Sequence, residues 1–430
     1  MGKEITNIGL LGLGTVGTGV VKILQKNGER ITTKAGSTLR LKKVLVRDPN
    51  KSRDVELEPG VLTDNPQEVL NDEEIDLVVE VMGGIEPARE YIRKALQNGK
   101  YVVTANKDLI AQYGSELFRL AKEKKCNIYY EASVGGGIPL IRPLKHCLAA
   151  NRITRLMGIL NGTTNYILTK MSLEGMDYAA ALSEAQAKGF AEADPSNDLE
   201  GKDAAYKLAI LSSLAFSTQV SMENLQVEGI TGVTQRDILY AKELGYVIKL
   251  LAVGEDRGDG LSMGVHPTLV PDTHPLTSVY YEFNALFVEG DAVGEVMFYG
   301  PGAGELPTGS AVVADIIDAA RAINHAVEDG VHEVSFNRRP VLPASRRFSR
   351  FYLRLQAVDR PGVFAGLATA FGEEEVSLDM IIQKRSDAGI AEIVLITHDV
   401  AEDRFAKALQ RIRTFSAVKK VDSVFRVIDR

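Results

Sequence analysis

Residues 189–216 hold a group of carboxylates followed by a lysine that could give and take a proton. The carboxylates occupy the first half: Glu192, Asp194, Asp198, Glu200 and Asp203. Pro195 interrupts this half and holds Asp194 extended, so we expect an acidic loop. From Ala204 onward the segment is rich in Ala, Leu and Ile, which is typical of a buried helix, and Lys207 lies inside it.

Two interpretations of Lys207 follow from the residues alone. Asp203 lies one helical turn earlier on the same face, so the pair could be an ordinary surface ion pair worth about 0.5 kcal/mol. Alternatively, Lys207 could give and take a proton at the mouth of an acidic pocket, because catalytic groups are commonly found where burial and neighbouring charges meet. The rest of the chain has to decide between them.

A glycine-rich motif near the N-terminus predicts a dinucleotide site. It follows an apolar run over Ile5–Leu11, opens a helical pattern and consists of Gly12, Leu13, Gly14, Thr15, Val16 and Gly17. The first glycine makes the turn, the second admits a pyrophosphate and the third lets helix and strand pack closely. A glycine turn with a purely structural role is the alternative.

The second predicted strand, residues 39–46, ends in an arginine and an aspartate. Asp48 would hold the ribose 2′-hydroxyl of NAD, whereas Arg47 would suit the 2′-phosphate of NADP. With Arg53 nearby, the sequence slightly favours NADP, although Arg47 could also be a solvated strand end.

Three further apolar runs, residues 76–81, 101–103 and 127–130, alternate with helical patterns. This rhythm predicts an α/β domain with a Rossmann-type, doubly wound parallel sheet, whose ligands lie beyond the carboxyl ends of the strands. Met82, Gly83 and Gly84 follow one strand at that edge, and residues 104–107 follow the next. We therefore predict that Lys107 contacts a ligand.

Glu131 opens a loop with three consecutive glycines, Gly135 to Gly137, before a helix expected from about Pro139. Glycines allow a sharp turn between domains. A carboxylate beside exposed carbonyl groups can instead hold a hard cation. The residues by themselves favour the turn.

The next part of the chain predicts an α+β substrate and dimerisation domain with a largely antiparallel sheet. We expect strands at residues 155–160 and 265–271, a hairpin at residues 280–299, and a helix capped by Thr163 or Thr164. A glycine-rich segment around Gly304 then enters a helix at residues 310–323. This helix either returns to the first domain, near the cofactor, or follows a flexible linker.

The last part of the chain predicts a small ferredoxin-like domain with the order β-α-β-β-α-β. Its strands are expected at residues 351–358, 377–384, 391–397 and 418–428, and its helices at residues 365–371 and 403–414. The basic, proline-containing stretch before it would be a linker.

Length and composition limit the possible classes. A chain of 430 residues indicates about three domains. A net charge of −7 argues against a nucleic-acid partner, and the sequence shows no apolar run long enough to span a bilayer. Two cysteines, Cys126 and Cys147, do not form a disulfide framework. We expect a cytoplasmic protein with no membrane partner.

Seven motifs, in order and spacing, resemble those of homoserine dehydrogenases. They are GLGTVGTGV, VMGG, TANK, EASVGGGIP, NGTTNYI, GFAEADPSNDLEGKDAAYKLAIL and GPGAGELPT. The match covers the chain from its start to about residue 322. The resemblance implies NAD(P)-dependent interconversion of L-aspartate 4-semialdehyde and L-homoserine, on the route to threonine and methionine.

The resemblance assigns roles to the matched residues. Lys207 would be the general acid/base, and Lys107 would lie between the nicotinamide and the small-molecule substrate. The substrate-binding set would be Gly189, Glu192, Asp198, Asp203 and Lys107, with Glu192 and Asp203 on the amine. The cofactor-binding set would be Gly12, Leu13, Gly14, Thr15, Val16, Gly17, Arg47, Met82, Gly83, Thr104, Lys107 and Gly304.

The resemblance also changes the interpretation of the Glu131 loop. In that family a monovalent cation, usually sodium, is held there by the side chain of Glu131 and by the backbone oxygens of Val134, Gly136 and Ile138. The resemblance therefore predicts a cation site in this loop instead of a simple turn.

The C-terminal domain resembles an ACT domain, with DRPGVF as its first loop. This implies binding of a small amino acid and dimerisation through sheet edges, in a homodimer or homotetramer. In this enzyme family the ligand would be threonine, acting as an end-product inhibitor. A purely structural dimerisation module is the alternative.

Two other functions would account for part of the sequence. An aspartate-semialdehyde dehydrogenase needs a reactive cysteine, and neither Cys126 nor Cys147 lies in such a setting. A non-catalytic amino-acid sensor on a dinucleotide-binding scaffold would not need Lys207, Asp203 and Glu192 together. The predicted division is an NAD(P)-binding domain (1–133 with 301–335), a catalytic domain (134–300), a linker (336–350) and an ACT domain (351–430).

Overall fold

The computed structural model describes residues 3–325, 339–385 and 389–429. Its backbone contacts divide the chain into two compact units. Unit 1 contains Met1–Ile153, Tyr206–Glu223 and Asn284–Arg338, and unit 2 contains Thr154–Ala205, Asn224–Phe283 and Arg339–Arg430. Within the described residues, every helix is too short or too polar to cross a membrane.

The strands are, in chain order, β1 (Ile5–Leu11), β2 (Thr38–Leu45), β3 (Leu62–Thr63), β4 (Leu77–Glu80), β5 (Tyr101–Thr104), β6 (Ile128–Tyr129), β7 (Ile153–Ile159), β8 (Gln226–Val227), β9 (Tyr246–Asp256), β10 (Leu261–Pro271), β11 (Phe283–Gly290), β12 (Gly294–Pro301), β13 (Phe348–Val358), β14 (Leu378–Arg385), β15 (Ile390–Thr397), β16 (Val400–Ala401) and β17 (Val418–Val427).

The α-helices are α1 (Thr15–Lys26), α2 (Gly28–Ala35), α3 (Gln67–Leu70), α4 (Ala88–Gln97), α5 (Lys107–Glu123), α6 (Gly162–Glu174), α7 (Tyr178–Ala187), α8 (Ser196–Leu199), α9 (Lys202–Ala215), α10 (Gln235–Glu243), α11 (Glu305–His325), α12 (Val363–Gly372) and α13 (Glu402–Thr414).

The sheet of unit 1 is parallel and has the strand order β3-β2-β1-β4-β5-β6. This order is that of a Rossmann fold, so the predicted fold class is confirmed. The structure adds β3, a two-residue strand that pairs with Val44 and Leu45 and is too short to give a periodic pattern.

The late helix α11 packs against the first helix of the Rossmann sheet. Val312 and Ile316 of α11 share one buried core with Val20 of α1 and Ile8 of β1. The interpretation that this helix returns to the first domain is confirmed, and the flexible-linker alternative is wrong. The helix begins at Glu305, five residues earlier than residue 310, because Gly304 already accepts a bond from the Thr308 amide.

Unit 2 contains a mixed sheet with the order β7-β9-β10-β17-β13-β15-β14. β9 pairs with β10 in antiparallel register over its whole length. The sequence interpretation had assigned β10 and the β11–β12 hairpin but not β9. β17 pairs in parallel with β10, so the sheet of the C-terminal domain continues that of the preceding domain.

The C-terminal domain has the predicted order of strands and helices, with the added short strand β16. Alternate side chains of β13 face two different environments. Phe351, Leu353 and Leu355 pack in one core with Leu367 of α12 and Phe405 of α13. Arg354, on the other face, binds Asp237 of α10. Residues 336–338 of the predicted linker lie outside the described residues.

Two local predictions are wrong. Asn161 caps α6 in place of Thr163 or Thr164, because its side chain accepts a hydrogen bond from the Thr164 amide. The helix expected from Pro139 begins at Ile141 and continues as a π-helical turn over Pro143–Cys147. Proline has no amide proton to donate, which favours such a local irregularity.

Candidate active site

The loop between β1 and α1 has the geometry that a dinucleotide requires. A Cβ atom on Gly17 would lie 2.3 Å from the carbonyl oxygen of Gly12, so only glycine fits there. A Cβ on Gly14 would meet nothing within 4 Å, which leaves open space in front of the loop. Gly14 and Thr15 are exposed, whereas Leu13 and Val16 are partly buried. The open space lies at the N-terminus of α1, where helix amides can bind a phosphate.

A buried carboxylate joins the ends of β4 and β5. Glu80 is 0% exposed and accepts bonds from the amides of Met82 (2.8 Å) and Gly83 (3.2 Å). Its other oxygen accepts a bond of 2.7 Å from the Thr104 hydroxyl. Burial raises the pKa of the Glu80 carboxyl group. Met82, Gly83 and Thr104 were predicted to contact the cofactor, and Glu80 fixes the loops that carry them.

Asn106 positions the start of α5, where Lys107 is the first helical residue. The Asn106 side chain caps the helix by accepting from the Leu109 amide (3.1 Å) and donates to the Gly84 carbonyl (2.6 Å). The Lys107 ammonium lies 3.9 Å from a carboxylate oxygen of Asp108, and its side chain is 27% exposed. Lys107 therefore lies just after the end of β5, which the Glu80 carboxylate links to the loop after β4.

The residues predicted to choose between coenzymes lie after β2. Arg47 is exposed. The Asp48 carboxylate accepts a bond of 2.8 Å from the Asn50 amide, so it is used in closing its own loop. Arg53 donates to the carbonyl oxygens of Asp48 and Lys51 in the same loop.

Glu131 is buried at 3% exposure, and its carboxylate faces a row of backbone amides. One oxygen accepts from Leu140 (2.6 Å) and Ile141 (2.8 Å), and the other accepts from Arg142 (2.9 Å). A carboxylate offers about four acceptor positions, so about one remains. The Arg142 guanidinium also lies 3.9 Å from the Glu131 carboxylate.

The remaining predicted cation ligands lie in the loop after Glu131, and Val134, Gly136 and Ile138 are all buried or nearly so. Gly136 has a φ of +55°, and a Cβ on it would lie 2.4 Å from the Gly302 carbonyl oxygen. Only glycine therefore allows this loop and the residues before α11 to pack so closely. Gly304, predicted to contact the cofactor, begins the turn into α11.

The acidic loop of unit 2 is organised by Asn161. Its amide nitrogen donates to Asp198 (2.8 Å) and to Asp203 (2.9 Å). The Thr163 hydroxyl lies 2.9 Å from the second oxygen of Asp198 and 2.7 Å from the Phe190 carbonyl. Two of the predicted substrate carboxylates are therefore side by side.

The other two predicted substrate residues lie at the start of the same loop. Gly189 lies just after the end of α7 and has a φ of +78°, and Glu192 is exposed. The backbone carbonyl of Glu192 accepts a bond of 3.2 Å from the Gln186 side chain. The hydrogen bonds of Asn161 thus join Asp198 and Asp203, whereas Glu192 lies at the exposed start of the loop.

Helix α9 carries both Asp203, in its first turn, and Lys207, one turn later. Asp203 is 6% exposed, and Lys207 is partly buried. The predicted burial of the helix is confirmed, since Ala205, Leu208 and Leu211 are each 0% exposed. The boundary between the two units falls inside this helix, so Lys207 belongs to unit 1 with Lys107, and Asp203 to unit 2.

Three residues of this region were missed as functional candidates: Glu80, Asn106 and Asn161. Each had a weak signal in the sequence. Glu80 is a carboxylate inside an otherwise apolar strand, and such a group needs buried partners. Asn106 and Asn161 each precede a helical pattern, where asparagine is a preferred cap.

The cysteines do not form a nucleophilic site. Cys126 is buried, and its burial raises the pKa of the thiol to about 11, which disfavours the reactive thiolate. Cys147 is exposed and follows the π-helical turn.

Three known family models match the chain, each over a different part of it. Residues 12–131 match the NAD-binding domain of homoserine dehydrogenase, residues 139–317 match homoserine dehydrogenase itself, and residues 351–416 match the ACT domain.

Known relatives extend over nearly the whole chain. Homoserine dehydrogenase of Bacillus subtilis (strain 168) is 45% identical over 422 residues, covering 98% of each chain. That of Synechocystis is 47% identical over 432 residues, covering 98% of this chain and 99% of its own. The crystal structure of a homoserine dehydrogenase from Thiobacillus denitrificans matches with a TM-score of 0.93 and 43% identity, over 100% of this chain and 99% of that one.

A more distant structure, titled a hyperthermophilic archaeal homoserine dehydrogenase in complex with NADPH, is 31% identical with a TM-score of 0.62 and covers 73% of this chain and 97% of its own. The family models and the full-length relatives agree: the chain belongs to the homoserine dehydrogenase family of oxidoreductases and carries a C-terminal ACT domain.

Proposed function

We propose that the protein catalyses the reversible, NAD(P)-dependent interconversion of L-homoserine and L-aspartate 4-semialdehyde, in the cytoplasm and on the route to threonine and methionine. The observation that carries this proposal is helix α9, which places Asp203 and Lys207 one turn apart while Asn161 links Asp203 to Asp198. The full-length relatives, which are homoserine dehydrogenases, support it. A non-catalytic sensor would not need this arrangement.

The proposed roles follow from charge and position. Asp203, Asp198 and Glu192, in the loop that begins at Gly189, bind the substrate ammonium. Lys207 accepts the hydroxyl proton when homoserine is oxidised and returns it in the reverse direction. Lys107 stabilises negative charge on the same oxygen. A bound nicotinamide supplies or accepts the hydride.

The coenzyme is held by the residues at the carboxyl edge of the sheet, namely Gly12, Leu13, Gly14, Thr15, Val16, Gly17, Met82, Gly83, Thr104 and Gly304. NADP is favoured over NAD for two reasons. Arg47 is exposed and can meet a 2′-phosphate, while Asp48 is engaged by the Asn50 amide. The archaeal relative, moreover, was solved with NADPH.

A monovalent cation, sodium, would be held by the Glu131 side chain and the backbone oxygens of Val134, Gly136 and Ile138. The acceptor position that remains on the Glu131 carboxylate supports this assignment. The cation would stabilise the loop between the first sheet and the segment before α11.

The ACT domain would bind threonine as a feedback inhibitor and, with the sheet of unit 2, contribute to a homodimer or homotetramer. The proposed division keeps an NAD(P)-binding domain (1–133 with 301–335), a catalytic domain (134–300), a linker and an ACT domain (351–430). Inhibition by threonine, together with a threonine-dependent rise in the unfolding temperature, tests the regulatory part.

The test of the catalytic proposal is oxidation of L-homoserine by the purified protein, followed by the absorbance of the reduced nicotinamide with NAD and with NADP, each with and without threonine. Lys207→Ala should lower kcat by about 10²-fold or more and leave coenzyme affinity nearly unchanged. Lys202→Ala is the matched control on the same helix, since Lys202 is an exposed lysine that pairs with Glu200. Unchanged turnover in Lys207→Ala would refute the role of Lys207, and absence of homoserine oxidation would refute the function.

A further inference from the structure

Asn161 is held in one orientation by the helix that it caps. Its side-chain oxygen accepts bonds of 2.9 Å from both the amide and the hydroxyl group of Thr164. The residue is 6% exposed, so water does not replace these partners. With the oxygen fixed on the helix, the NH₂ group has to point in the opposite direction, away from α6.

The NH₂ group of Asn161 points at two carboxylates. It lies 2.8 Å from an oxygen of Asp198 and 2.9 Å from an oxygen of Asp203. An amide nitrogen carries two protons, so each carboxylate receives one hydrogen bond. Asp198 belongs to α8 and Asp203 to α9, two helices that are separated by Gly201 with a φ of +82°. Asn161 is therefore one donor that both carboxylates share.

We infer that Asn161 is a positioning residue that holds Asp198 and Asp203 together as one double-carboxylate group for the substrate ammonium. This inference rests on the proposed function. Two ionised carboxylates repel each other, so their proximity needs a donor between them. A lysine or arginine in this place would neutralise the pair and compete with the substrate. A neutral amide donates one hydrogen bond to each carboxylate and adds no positive charge of its own.

Asn161→Ser tests the inference without removing the cap. Serine is a good N-cap for α6. Its side chain is shorter and ends in one hydroxyl, so it cannot cap the helix and also bridge the two carboxylates. Binding of the ammonium is present in the ground state and in the transition state alike, so its loss appears in KM. We expect KM for L-homoserine to rise about 10-fold to 100-fold, with kcat within about threefold and KM for the coenzyme unchanged.

Asp177→Ser is the matched control. Asp177 caps α7 in the same unit, is exposed, and accepts a bond of 2.9 Å from the Ala180 amide. Its replacement should leave both KM values and kcat as in the wild-type enzyme. Asn161→Thr, which also preserves a capping hydroxyl group, serves as the second variant if Asn161→Ser does not fold, and it should show the same selective rise in KM for homoserine.

Each other outcome overturns the inference. A variant with wild-type KM for homoserine shows that the carboxylates need no bridge. If both KM values rise, kcat falls to a similar extent and the unfolding temperature is lower, Asn161 has only a structural role. If the wild-type protein does not oxidise homoserine at all, it is the proposed function that fails. If it does and Asn161→Ser behaves like wild type, only the role of Asn161 fails.

Discussion

Lys249 offers a prediction that depends on one buried charge. It lies in β9 of unit 2 and is 2% exposed. Its ammonium donates to the side-chain oxygen of Asn165 (3.1 Å) and to the carbonyl oxygen of Val279 (2.5 Å), and it lies 5.3 Å from the centre of the Tyr280 ring. Burial lowers the pKa of Lys249 from its usual 10.5 to about 7. The perturbation is Lys249→Met, which keeps the length of the side chain and removes the ionisable group.

The sign of the pH dependence of stability follows from comparing the folded and the unfolded protein. Between pH 7 and 10.5, the unfolded chain holds a proton on Lys249 that the native protein has lost. Stability therefore rises with pH in this window and falls as the pH drops toward the native pKa. The full difference of about 3.5 pH units corresponds to about 5 kcal/mol. The carbonyl oxygen, the amide oxygen and the Tyr280 ring all favour the ammonium form, so we expect about 2–4 kcal/mol.

The assay is unfolding in urea at several pH values between about pH 7 and pH 10. The wild-type protein should gain stability across this range relative to Lys249→Met, whose curve should be flatter. Comparing slopes avoids the separate cost of leaving the Asn165 and Val279 oxygens without their donor. Lys26→Met, an exposed lysine in the last turn of α1, is the control and should parallel the wild-type protein. Parallel curves for the wild type and Lys249→Met would refute the reasoning.

Two further substitutions test other buried charges. Glu80→Gln replaces one acceptor oxygen by a donor that faces the amides of Met82 and Gly83 or the Thr104 hydroxyl. KM for the coenzyme should therefore rise about 10-fold. The control Glu90→Gln, at an exposed position, should not change this KM, and an unchanged KM in Glu80→Gln would contradict the role of Glu80 in the cofactor loops. Arg354→Met should lower the free energy of unfolding by about 3–5 kcal/mol, because it leaves Asp237, Glu392 and Asp422 buried without their shared partner. Arg236→Met removes a more exposed arginine from the same Glu392 and should cost about 1 kcal/mol or less; equal losses in the two variants would show that burial of the network is unimportant.

The elements that could be predicted were those with a strong local pattern. The strand Ile5–Leu11 was predicted with its observed bounds, and the strand–helix rhythm was enough to predict a Rossmann-type parallel sheet. The stretch that contains β9 was left unassigned, although its full-length pairing with β10 is evident in the structure. The cap of α6 was assigned to the wrong residue, because Asn161, Thr163 and Thr164 are all capable caps and the chain pattern does not rank them.

The candidate site, like the fold, was predictable where the residues form a local motif and was not predictable where residues far apart in the chain make contact. Motif and family resemblance identified Lys107, Lys207, Asp198 and Asp203 as candidates, since these residues lie in recognisable stretches. The hydrogen bonds that position this region join segments far apart in the chain, and such pairs produce no periodic pattern in the sequence. Asn161 lies 42 residues from Asp203, and Glu80 lies 24 residues from Thr104. Such pairs become visible only when the fold has brought the segments together.

Helix α6 shows why these distant partners matter for function. At its first turn, Asn161 holds the two carboxylates of the acidic loop. One turn later, Asn165 donates to the carbonyl oxygens of Val279, Tyr281 and Phe283 and accepts from Lys249.

Near the other end of α6, the carbonyl of Met171 accepts a bond of 3.2 Å from Gln235 of α10. Asp237, two residues along α10, binds Arg354 of the ACT domain at 2.7 Å. A continuous series of hydrogen bonds and helix contacts within unit 2 therefore joins the ACT sheet to the carboxylates of the acidic loop. Helix α10 therefore contacts both α6 and the ACT sheet through two residues of its first turn.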